Sequence, residues 1–403
     1  MRPLEKIAAV LPDTEPADFR SITLLAASHT ADDINQAVLP AMLPYFIAEH
    51  HLSYAAAAGL VLAQTLASSV AQPLFGLIAD RRPSPWLIPV GLSVAGLGVA
   101  ATGFLPSYAL IFAAIAISGL GVSAFHPEAA RWVRYLGGAN QGAAMGLFTV
   151  GGNVGFAIGP LMITPIMIML GLRGAILLTV PVFMMSVILL WRLPHLSAAR
   201  AARRGGVAGH VTIQAREQWG AFTSLAAVVM IRSVVFFALN TFIPLYWIVI
   251  LHGSKATGGY ALSVMLAAAA VGTLVGGRLA DRYGRRVIVI LSLGALVFIL
   301  LAFVYAKSPG ASMALLAPLG FALQASSGVM VVMGQEYLPN RVGLAAGVTL
   351  GLSMTVGGLF APVFGSIADH YGLSAALRIL CIVPVLGFFV SLTLREPAAG
   401  AYE

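Results

Sequence analysis

The sequence contains few charged residues and a single cysteine. Of its 403 residues, 9% are charged and 59% are hydrophobic, and the mean hydropathy is +0.92. Soluble domains carry about 25% charged residues, so this composition excludes an ordinary soluble protein and indicates a membrane protein. Cys381 cannot form an internal disulfide, and the scattered histidines show no metal-ligand spacing along the chain. We therefore expect no metal and no cofactor.

Sequence motifs of enzymes and of ATP-driven pumps are also missing. The chain has no G-x-S-x-G elbow, no phosphate-binding G-x-x-x-x-G-K, no His-Glu-x-x-His and no paired cysteines. We expect no catalytic residues, and an ion gradient remains as the energy source for any transport. One proton that moves through about 100 mV supplies about 2.3 kcal/mol. The first 18 residues lack an apolar core with a cleavage site, so we expect no removable signal peptide.

Twelve apolar runs divide the chain. Each is long enough to cross a bilayer as a helix, and all are too long and too continuous for barrel strands. We therefore predict an all-α membrane protein with twelve transmembrane helices. The predicted spans are 19–47, 54–79, 86–105, 108–132, 141–170, 173–192, 219–250, 257–279, 287–305, 311–336, 342–368 and 373–394.

The basic residues determine the predicted orientation. The net charge is +8, and most of the 23 Lys and Arg residues fall on alternate connections, which places both termini in the cytoplasm. Nucleic-acid binding would need these residues on one face with interleaved aromatics, whereas they are dispersed over short loops. We expect lipid, protons and a small-molecule substrate as partners, no nucleic acid, and a monomer.

An internal repeat divides the chain into halves. GLIADRR at 76–82 aligns with GRLADRYGRR at 277–286 at an offset of 201 residues. Two related six-helix halves are a known transporter architecture, with the substrate site near the midplane between them. The predicted units are an N-terminal segment 1–18, the halves 19–192 and 219–395, a polar linker 193–218 and a tail 396–403.

The motifs resemble those of a known family. The loop signature GRLADRYGRR is similar to that of the major facilitator superfamily. SHTADDINQAVLPAMLPYF, FHPEAARWVR, FTVGGNVGFAIGPL and GQEYLPNRVGLAAGV resemble its fosmidomycin resistance protein branch. That branch consists of proton-coupled exporters of the bacterial inner membrane. The resemblance therefore implies an antiporter that confers antibiotic resistance by drug efflux.

The loop signature supplies candidates for conformational control. An aspartate followed by arginine at a helix end can pair with neighbouring helix ends and hold one conformation. Alternatively, it forms an exposed ion pair worth at most about 1 kcal/mol. The first copy lacks the glycine that Gly284 supplies in the second. The predicted gating residues of the two loops are Asp80, Arg81, Asp281, Arg282 and Arg285.

Helix 5 carries glycines at a spacing of four. Gly151, Gly155 and Gly159 lie on one helical face, so another helix can approach closely, and Pro160 follows them. Exporters of the superfamily have a similar Gly-rich, Gly-Pro segment on this helix. The resemblance therefore favours export, and we assign these four residues to conformational change.

Helix 1 carries a polar stripe. His29, Asp32, Asp33 and Gln36 fall at i, i+3, i+4 and i+7, on one face of an otherwise apolar helix. An aspartate near a helix centre costs about 2.5–3.5 kcal/mol on insertion scales. Poor solvation disfavours its charged form, so such an acid can carry a proton. We place Asp33 ahead of Asp32, because its distance from Pro40 resembles the helix 1 motif of drug–proton exchangers. Alternatively, the acids are tied to His29 or to another helix.

Helix 4 ends in a second group of ionisable residues. Pro127 loosens the helix between His126 and Glu128, and Arg131 follows Glu128 at i+3. Protonation of Glu128 would release Arg131, which makes a switch, whereas the alternative is a simple ion pair at the helix end. The arginine that many drug exporters carry within this helix is missing. His126 and Glu128 are its candidate substitutes in proton coupling, with Arg131 as a gating residue.

Helix 7 places an arginine inside the membrane. Arg232 lies deep in an apolar span, and its donors suit a phosphonate or a carboxylate. Alternatively, it neutralises an aspartate of helix 1. The remaining predicted substrate contacts are Gln36, Phe236, Phe237, Asn240, Thr241, Tyr246 and Trp247. Glu336 in GQEYLPNR is expected to be structural and to pair with Arg341 or the linker.

Together, these features predict an exporter that exchanges protons for a small anionic or amphiphilic compound. The alternative within transport is proton-linked uptake of an organic acid or a phosphonate. A membrane sensor without transport activity is the rival from another class.

Overall fold

A computed structural model describes residues 16–81, 84–203, 217–306 and 308–396, with the side chains of 79–81, 139 and 195–203 left out. Within these ranges the regular structure is helical, which confirms the all-α prediction. The helices are α1 (Phe19–His50), α2 (Tyr54–Arg81), α3 (Leu87–Ala101), α4 (Tyr108–Gly137), α5 (Gln141–Leu170), α6 (Thr179–Arg203), α7 (Trp219–Val249), α8 (Lys255–Tyr283), α9 (Arg285–Tyr305), α10 (Pro309–Ala325 and Ser327–Tyr337), α11 (Val342–Ala346, a π-helical turn Gly347–Leu352, and Ser353–Tyr371) and α12 (Leu373–Leu380 and Ile382–Ser391).

Ten stretches of the described residues are long and apolar enough to cross a membrane. One of them, Gln141–Pro194, contains both α5 and most of α6. The 32-residue α1 is long enough but is less apolar, since its middle carries the polar stripe. The observed helices are consistent with the predicted twelve.

The helix ends follow local chemistry. The Asp18 side chain caps α1 and accepts a hydrogen bond of 3.2 Å from the Ser21 amide. Gly284 and Gly372 adopt φ values of +93° and +84°, which L-residues rarely adopt, and each connects one helix directly to the next. The helix α6 extends to Arg203, well beyond the apolar span predicted to end at 192, because the Ala- and Arg-rich stretch that follows favours helix. Residues 204–216 of the predicted linker lie outside the described residues.

The two halves pack by the same rules. In the first half α1 packs along α5, α2 along α4, and α3 along α4 and α6. In the second half α7 packs along α11, α8 along α10, and α9 along α10 and α12. The pairing therefore repeats six helices later. Between the halves α2 packs on α11 and α5 on α8, which are equivalent pairs under the same relation, so the halves are related by a pseudo-twofold axis.

Among the described residues, the close contacts between the halves lie toward one end. We call the end with the α1–α2 connection the hairpin end, and the end where α6 stops and α7 starts the linker end. At the hairpin end, a Cβ on Gly365 of α11 would lie 2.7 Å from the Cα of Ala55 in α2. At the linker end, the starts of α5 and α11, Gln141–Ala143 and Arg341–Leu344, are exposed all round. The space between the halves therefore opens toward the linker end.

Candidate functional site

A cavity of about 210 Å³ lies between the halves. Phe156, Phe236, Phe237 and Met354 contribute apolar wall, as expected for a small-molecule site. Its polar lining consists of Gln36, Gln64, Thr65, Asn153, Arg232, Ser233, Asn240, Gln324, Ser327 and Ser353. Arg232 is the single charged side chain among the described lining residues, so the cavity presents a positive charge without a matching acid.

Arg232 is held by amide groups. Its Nη1 donates to Oε1 of Gln324 at 2.6 Å and to the Leu323 carbonyl at 3.4 Å, and its Nε has no partner. The described residues give this guanidinium no ion pair, so the alternative in which it neutralises an aspartate of α1 has no geometric support. Because the side chain is 9% exposed, its charge lacks full hydration and an anion in the cavity would supply the missing partner.

The predicted substrate residues are divided by the faces of α7. Gln36, Arg232, Phe236, Phe237 and Asn240 line the cavity. Thr241, Tyr246 and Trp247 are buried but do not line it. Thr241 and Tyr246 lie on other faces of α7, whereas Trp247 lies on the face of Asn240 but two turns nearer the hairpin end. The Tyr246 ring packs against Phe303 of α9 at 5.0 Å between centroids. Periodicity along α7 could have separated Thr241 and Tyr246 from the cavity residues, but not Trp247. Gln324 was missed because it lies on α10 at a break that the sequence does not mark.

The polar stripe of α1 meets α4 in a buried network. His29 Nε2 lies 3.2 Å from Asp33 Oδ2 and 3.1 Å from His126 Nε2. His126 Nε2 lies 3.5 Å from Asp33 Oδ1, and Gln36 Nε2 donates to the same oxygen at 2.9 Å. The helix 1 and helix 4 candidates are therefore one group, and Gln36 connects it to the cavity. The spacing along the chain could not show this, because the two histidines are 97 residues apart.

Asp32 lies on the other side of His126. It is fully buried, its Oδ2 lies 3.4 Å from His126 Nδ1, and neither of its oxygens has a hydrogen bond. A buried ionised acid without donors is unfavourable. The His126 imidazole thus lies between Asp32, on its Nδ1 side, and Asp33, on its Nε2 side.

The glycines of α5 allow α1 to approach. A Cβ on Gly155 would lie 2.5 Å from the Thr30 carbonyl oxygen, and one on Gly159 would lie 2.7 Å from the Ala37 Cβ. Gly151 likewise contacts Ala26 of α1. A Cβ on Gly152 would lie 2.5 Å from Asp33 Oδ2, so this neighbouring glycine provides the space for the network. Sequence reasoning passed over Gly152, because it is not in the spacing of four.

Pro160 lies at the contact between the halves. Its carbonyl accepts a hydrogen bond of 2.6 Å from the Thr164 hydroxyl. Thr164 in turn packs against Gly259 of α8. The Gly-Pro segment of α5 thus lies between α1 on one side and the second half on the other.

Glu128 binds the connection after α2. Its Oε1 accepts hydrogen bonds from the Ser84 amide at 3.1 Å and from Trp132 Nε1 at 3.0 Å. Arg131 Nη1 lies 3.7 Å from Glu128 Oε2, and its Nε donates to the Tyr135 hydroxyl at 3.3 Å. Glu128 does not line the cavity. Glu128, two residues after His126, is therefore anchored to the loop that follows α2.

The side chains of Asp80 and Arg81 lie outside the described part of the chain. In the second copy of the signature Asp281 and Arg282 are exposed. Arg285 forms an ion pair with Glu336, and the expected pairing of Glu336 with Arg341 is not found among the described residues. The basic side chains of the linker lie outside those residues. Arg341 instead donates to Glu217 at 3.2 Å. Spatial proximity of α9 to the end of α10 decides this pairing, and adjacency in sequence does not.

Asp369 at the end of α11 was missed by the sequence analysis. Its oxygens accept hydrogen bonds from the Tyr54 amide at 2.7 Å and the Ala55 amide at 2.9 Å, at the start of α2 in the other half. A signal was available, since GSIADHYG at 365–372 repeats GRLADRYG at 277–284. Asp369 occupies the position of Asp281, and Gly372 that of Gly284.

The fold and the central cavity define a two-half membrane transporter. The sequence matches the model of the Major Facilitator Superfamily at residues 25–350 and 225–402, and the chain belongs to this superfamily. This finding confirms the resemblance seen in the motifs. The superfamily consists of transporters, and no enzyme motif was found in the sequence.

Two bacterial relatives span nearly the whole chain. The MFS-type transporter YfnC of Bacillus subtilis (strain 168) is 31% identical over 382 residues, which cover 92% of both chains. The fosmidomycin resistance protein of Escherichia coli (strain K12) is 28% identical over 372 residues, which cover 92% of this chain and 91% of the relative.

Solved structures show the same fold at lower identity. A bacterial homologue of the human lysosomal transporter Spinster, in an inward-facing and occupied conformation, has a TM-score of 0.78 at 14% identity, covering 94% of this chain and 97% of that chain. A D-xylose–proton symporter has a TM-score of 0.75 at 13% identity, covering 94% and 98%.

Proposed function

We propose that this protein is a proton-coupled exporter of the bacterial inner membrane that moves a small anionic or amphiphilic compound, such as a phosphonate antibiotic like fosmidomycin. The observation that carries the proposal is the single unpaired positive charge of Arg232 in a cavity between the halves. The exposed apolar surface and the multiple apolar helices support a position across the membrane, and the dispersed loop arginines support cytoplasmic termini.

The cavity suits an amphiphilic anion. A phosphonate or carboxylate group fits the donors of Arg232, and Asn240 and Gln324 add amide contacts beside it. The aromatic wall of Phe156, Phe236 and Phe237 would cover an apolar part of the substrate.

Gln36 supplies the link between substrate and proton. It lines the cavity and donates a hydrogen bond to Asp33. A substrate that recruits this amide would remove a donor from Asp33 and change its tendency to hold a negative charge. We therefore keep Asp33 ahead of Asp32 as the proton-coupling acid, with His29 and His126 in the same network. Binding of the substrate and release of the proton would then be coupled in each transport cycle.

Alternating access would use the two inter-half contacts. Opening at the linker end means that the cavity faces the cytoplasm, given the orientation proposed above. Separation of α2 from α11 and of α5 from α8 at the hairpin end would open it to the outside. The exposed Asp281 and Arg282 at the linker end would then become available to hold the opposite state.

The direction of export rests on the relatives and on α5. One relative is named for fosmidomycin resistance, and the α5 glycine segment resembles that of exporters. Uptake of an organic acid or phosphonate is the second candidate, because the same cavity chemistry would serve it. Expression in a fosmidomycin-sensitive host decides between them: an exporter raises the inhibitory concentration, and an importer lowers it.

Reconstitution tests the transport claim directly. Purified protein in liposomes with an imposed pH gradient should drive flux of radiolabelled fosmidomycin, and collapse of the gradient should stop it. Flux that is indifferent to the gradient would overturn proton coupling. Absence of flux for any anion tested would favour the sensor alternative.

A further inference from the structure

Two histidines from different helices face each other inside the network. The Nε2 of His29 on α1 lies 3.1 Å from the Nε2 of His126 on α4. The rings meet edge to face, with centroids 4.9 Å apart. One nitrogen of such a contact must donate a proton and the other must accept it. The position of every imidazole proton therefore matters here.

Backbone carbonyls fix the protons on the other two ring nitrogens. The Phe148 carbonyl oxygen lies 2.8 Å from His29 Nδ1, and the Val122 carbonyl oxygen lies 3.0 Å from His126 Nδ1. Because a carbonyl only accepts hydrogen bonds, each Nδ1 must carry a proton. A neutral imidazole holds one N–H, so two neutral rings would direct both Nε2 lone pairs at each other. Movement of either proton to Nε2 would instead turn a lone pair toward a carbonyl.

With Asp33 ionised, the two carbonyl contacts and the Nε2–Nε2 contact are satisfied together when the two rings hold three protons. We infer that His29 and His126 form a dyad that shares one excess proton between their Nε2 atoms, and that this is the proton exchanged for substrate. The exchange rests on the proposed function, whereas the proton-sharing pair stands without it. Asp33 is then the counter-ion of the dyad.

The charges around the dyad match one excess proton. Asp33 contacts both Nε2 atoms, at 3.2 Å and 3.5 Å, and Asp32 contacts His126 Nδ1 at 3.4 Å. These two acids are the titratable groups that α1 directs at the dyad. From α5 the described contacts are the neutral Phe148, which stacks on the His29 ring at 4.1 Å, and Gly152. One ionised carboxylate, Asp33, balances one excess proton, whereas an ionised Asp32 without hydrogen-bond donors is unfavourable.

Loss of the shared proton would separate α1 from α4. Two facing lone pairs would repel each other, and Asp33 would lose the cation that balances its charge. The His126 side chain is 22% exposed and that of His29 is 10% exposed, so the proton leaves through His126. Since Glu128 on α4 binds the Ser84 amide, a shift of α4 would reach the loop that follows α2.

Solid-state ¹⁵N NMR of the full-length protein in lipid bilayers, labelled at histidine, tests the dyad without any substrate. The chain has eight histidines, and difference spectra of His29→Gln and His126→Gln assign the two rings. At pH 7 we expect both Nδ1 atoms protonated and one proton shared between the Nε2 atoms. Each substitution should turn the remaining ring neutral. His370→Gln is the control, since His370 lies exposed near the end of α11 and should lose only its own signals.

Three results would overturn the inference. They are two neutral rings in the unsubstituted protein, His126 signals unchanged by His29→Gln, or a full equivalent of transition metal that is lost in His126→Gln. The last concerns the same side chains, because His29, His126 and Asp33 also have the spacing of metal ligands.

Asp33→Asn provides a second variant if the histidine variants fail to fold. Without the counter-ion, fewer molecules should hold the excess proton at pH 7, and an unchanged share would contradict the assignment. Flux measurements distinguish the two proposals. A protein that shows the shared proton but moves no anion would remove the proposed function and leave the dyad intact, whereas gradient-driven flux that persists in His126→Gln would remove the dyad from coupling.

Discussion

Asp369 on α11 accepts a hydrogen bond of 2.7 Å from the backbone amide of Tyr54, the first residue of α2 in the other half. The carboxylate therefore caps a helix of the opposite half and closes the hairpin end. The interaction combines a charge-assisted hydrogen bond with the positive end of a helix dipole. It exists only while the halves touch at this end, so it stabilises the observed state and not the alternative.

Asp369→Ala should weaken closure at the hairpin end. Loss of a helix cap costs about 0.5–2 kcal/mol, so the ratio of closed to open should fall about two- to thirty-fold. The single cysteine can be replaced by Cys381→Ser, and a reporter placed by Ala270→Cys in the cavity. A membrane-impermeant maleimide added outside the cell should then label the reporter faster.

Glu49→Gln is the matched control for this experiment. Glu49 is an exposed acid at the same end of the molecule, in the last turn of α1. The reporter protein with Glu49→Gln should be labelled at the same rate as the reporter protein without it. Equal rates for Asp369→Ala and Glu49→Gln would mean that the cap does not bias the two states.

Gly152→Ala should disrupt the proton site without adding or removing a charge. The new methyl group would lie 2.5 Å from Asp33 Oδ2 and 2.7 Å from His29 Nε2, so both side chains must move. Displacement of reacting groups by about 1 Å can lower a rate about a hundredfold. Gradient-driven flux in liposomes should fall accordingly.

Gly146→Ala provides the control on the same helix. A Cβ at Gly146 meets no atom within 4 Å, and alanine favours helix over glycine. Its flux should remain near that of the unsubstituted protein. If both variants lose flux equally, α5 tolerates no alanine in this region. The close contact at Gly152 would then not be the cause of the loss.

Asp33→Asn should separate binding from coupling. Asparagine keeps the size of the side chain but cannot hold the negative charge that balances the histidines. Flux driven by a pH gradient should disappear, while exchange of labelled for unlabelled fosmidomycin across the membrane should largely persist. The assay measures both in the same liposomes. Unchanged gradient-driven flux would remove Asp33 from the mechanism.

Arg232→Gln should weaken binding of anions selectively. Hydrogen bonds to charged groups contribute about 1.5–3 kcal/mol, so affinity for fosmidomycin should fall about ten- to a hundredfold. A neutral ester of the same compound should bind about as before. Arg278→Gln is the control, because Arg278 is exposed and its donor contact among the described residues is to a carbonyl of its own helix. Equal losses for the anion and the ester would count against an anchoring role.

Much of the fold could be predicted from the sequence. Apolar length predicts helices, because hydrocarbon leaves the backbone no other partner for its polar groups. The repeat of the loop signature predicts two halves. The helix 1 stripe was predicted from spacing within one helix, where geometry follows directly from residue number.

The assembly of the candidate site could not be predicted in the same way. His29 and Asp33 lie one turn apart, but His126 joins them only because α4 packs beside α1. Arg232 was expected to face a substrate or an aspartate, and its partner Gln324 belongs to another helix. The sequence analysis also assigned too many residues of α7 to the substrate site, since Tyr246 does not line the cavity.

Sequence alone determined the membrane environment, the helical class and the identity of the buried polar residues, because these depend on local composition and on spacing within a helix. Tertiary structure decided which of those residues meet, which end of the molecule is closed, and that a glycine at 152 leaves room for Asp33 and His29. Contacts between helices depend on packing at distances of a few ångströms, and residue order along the chain carries no direct record of those distances.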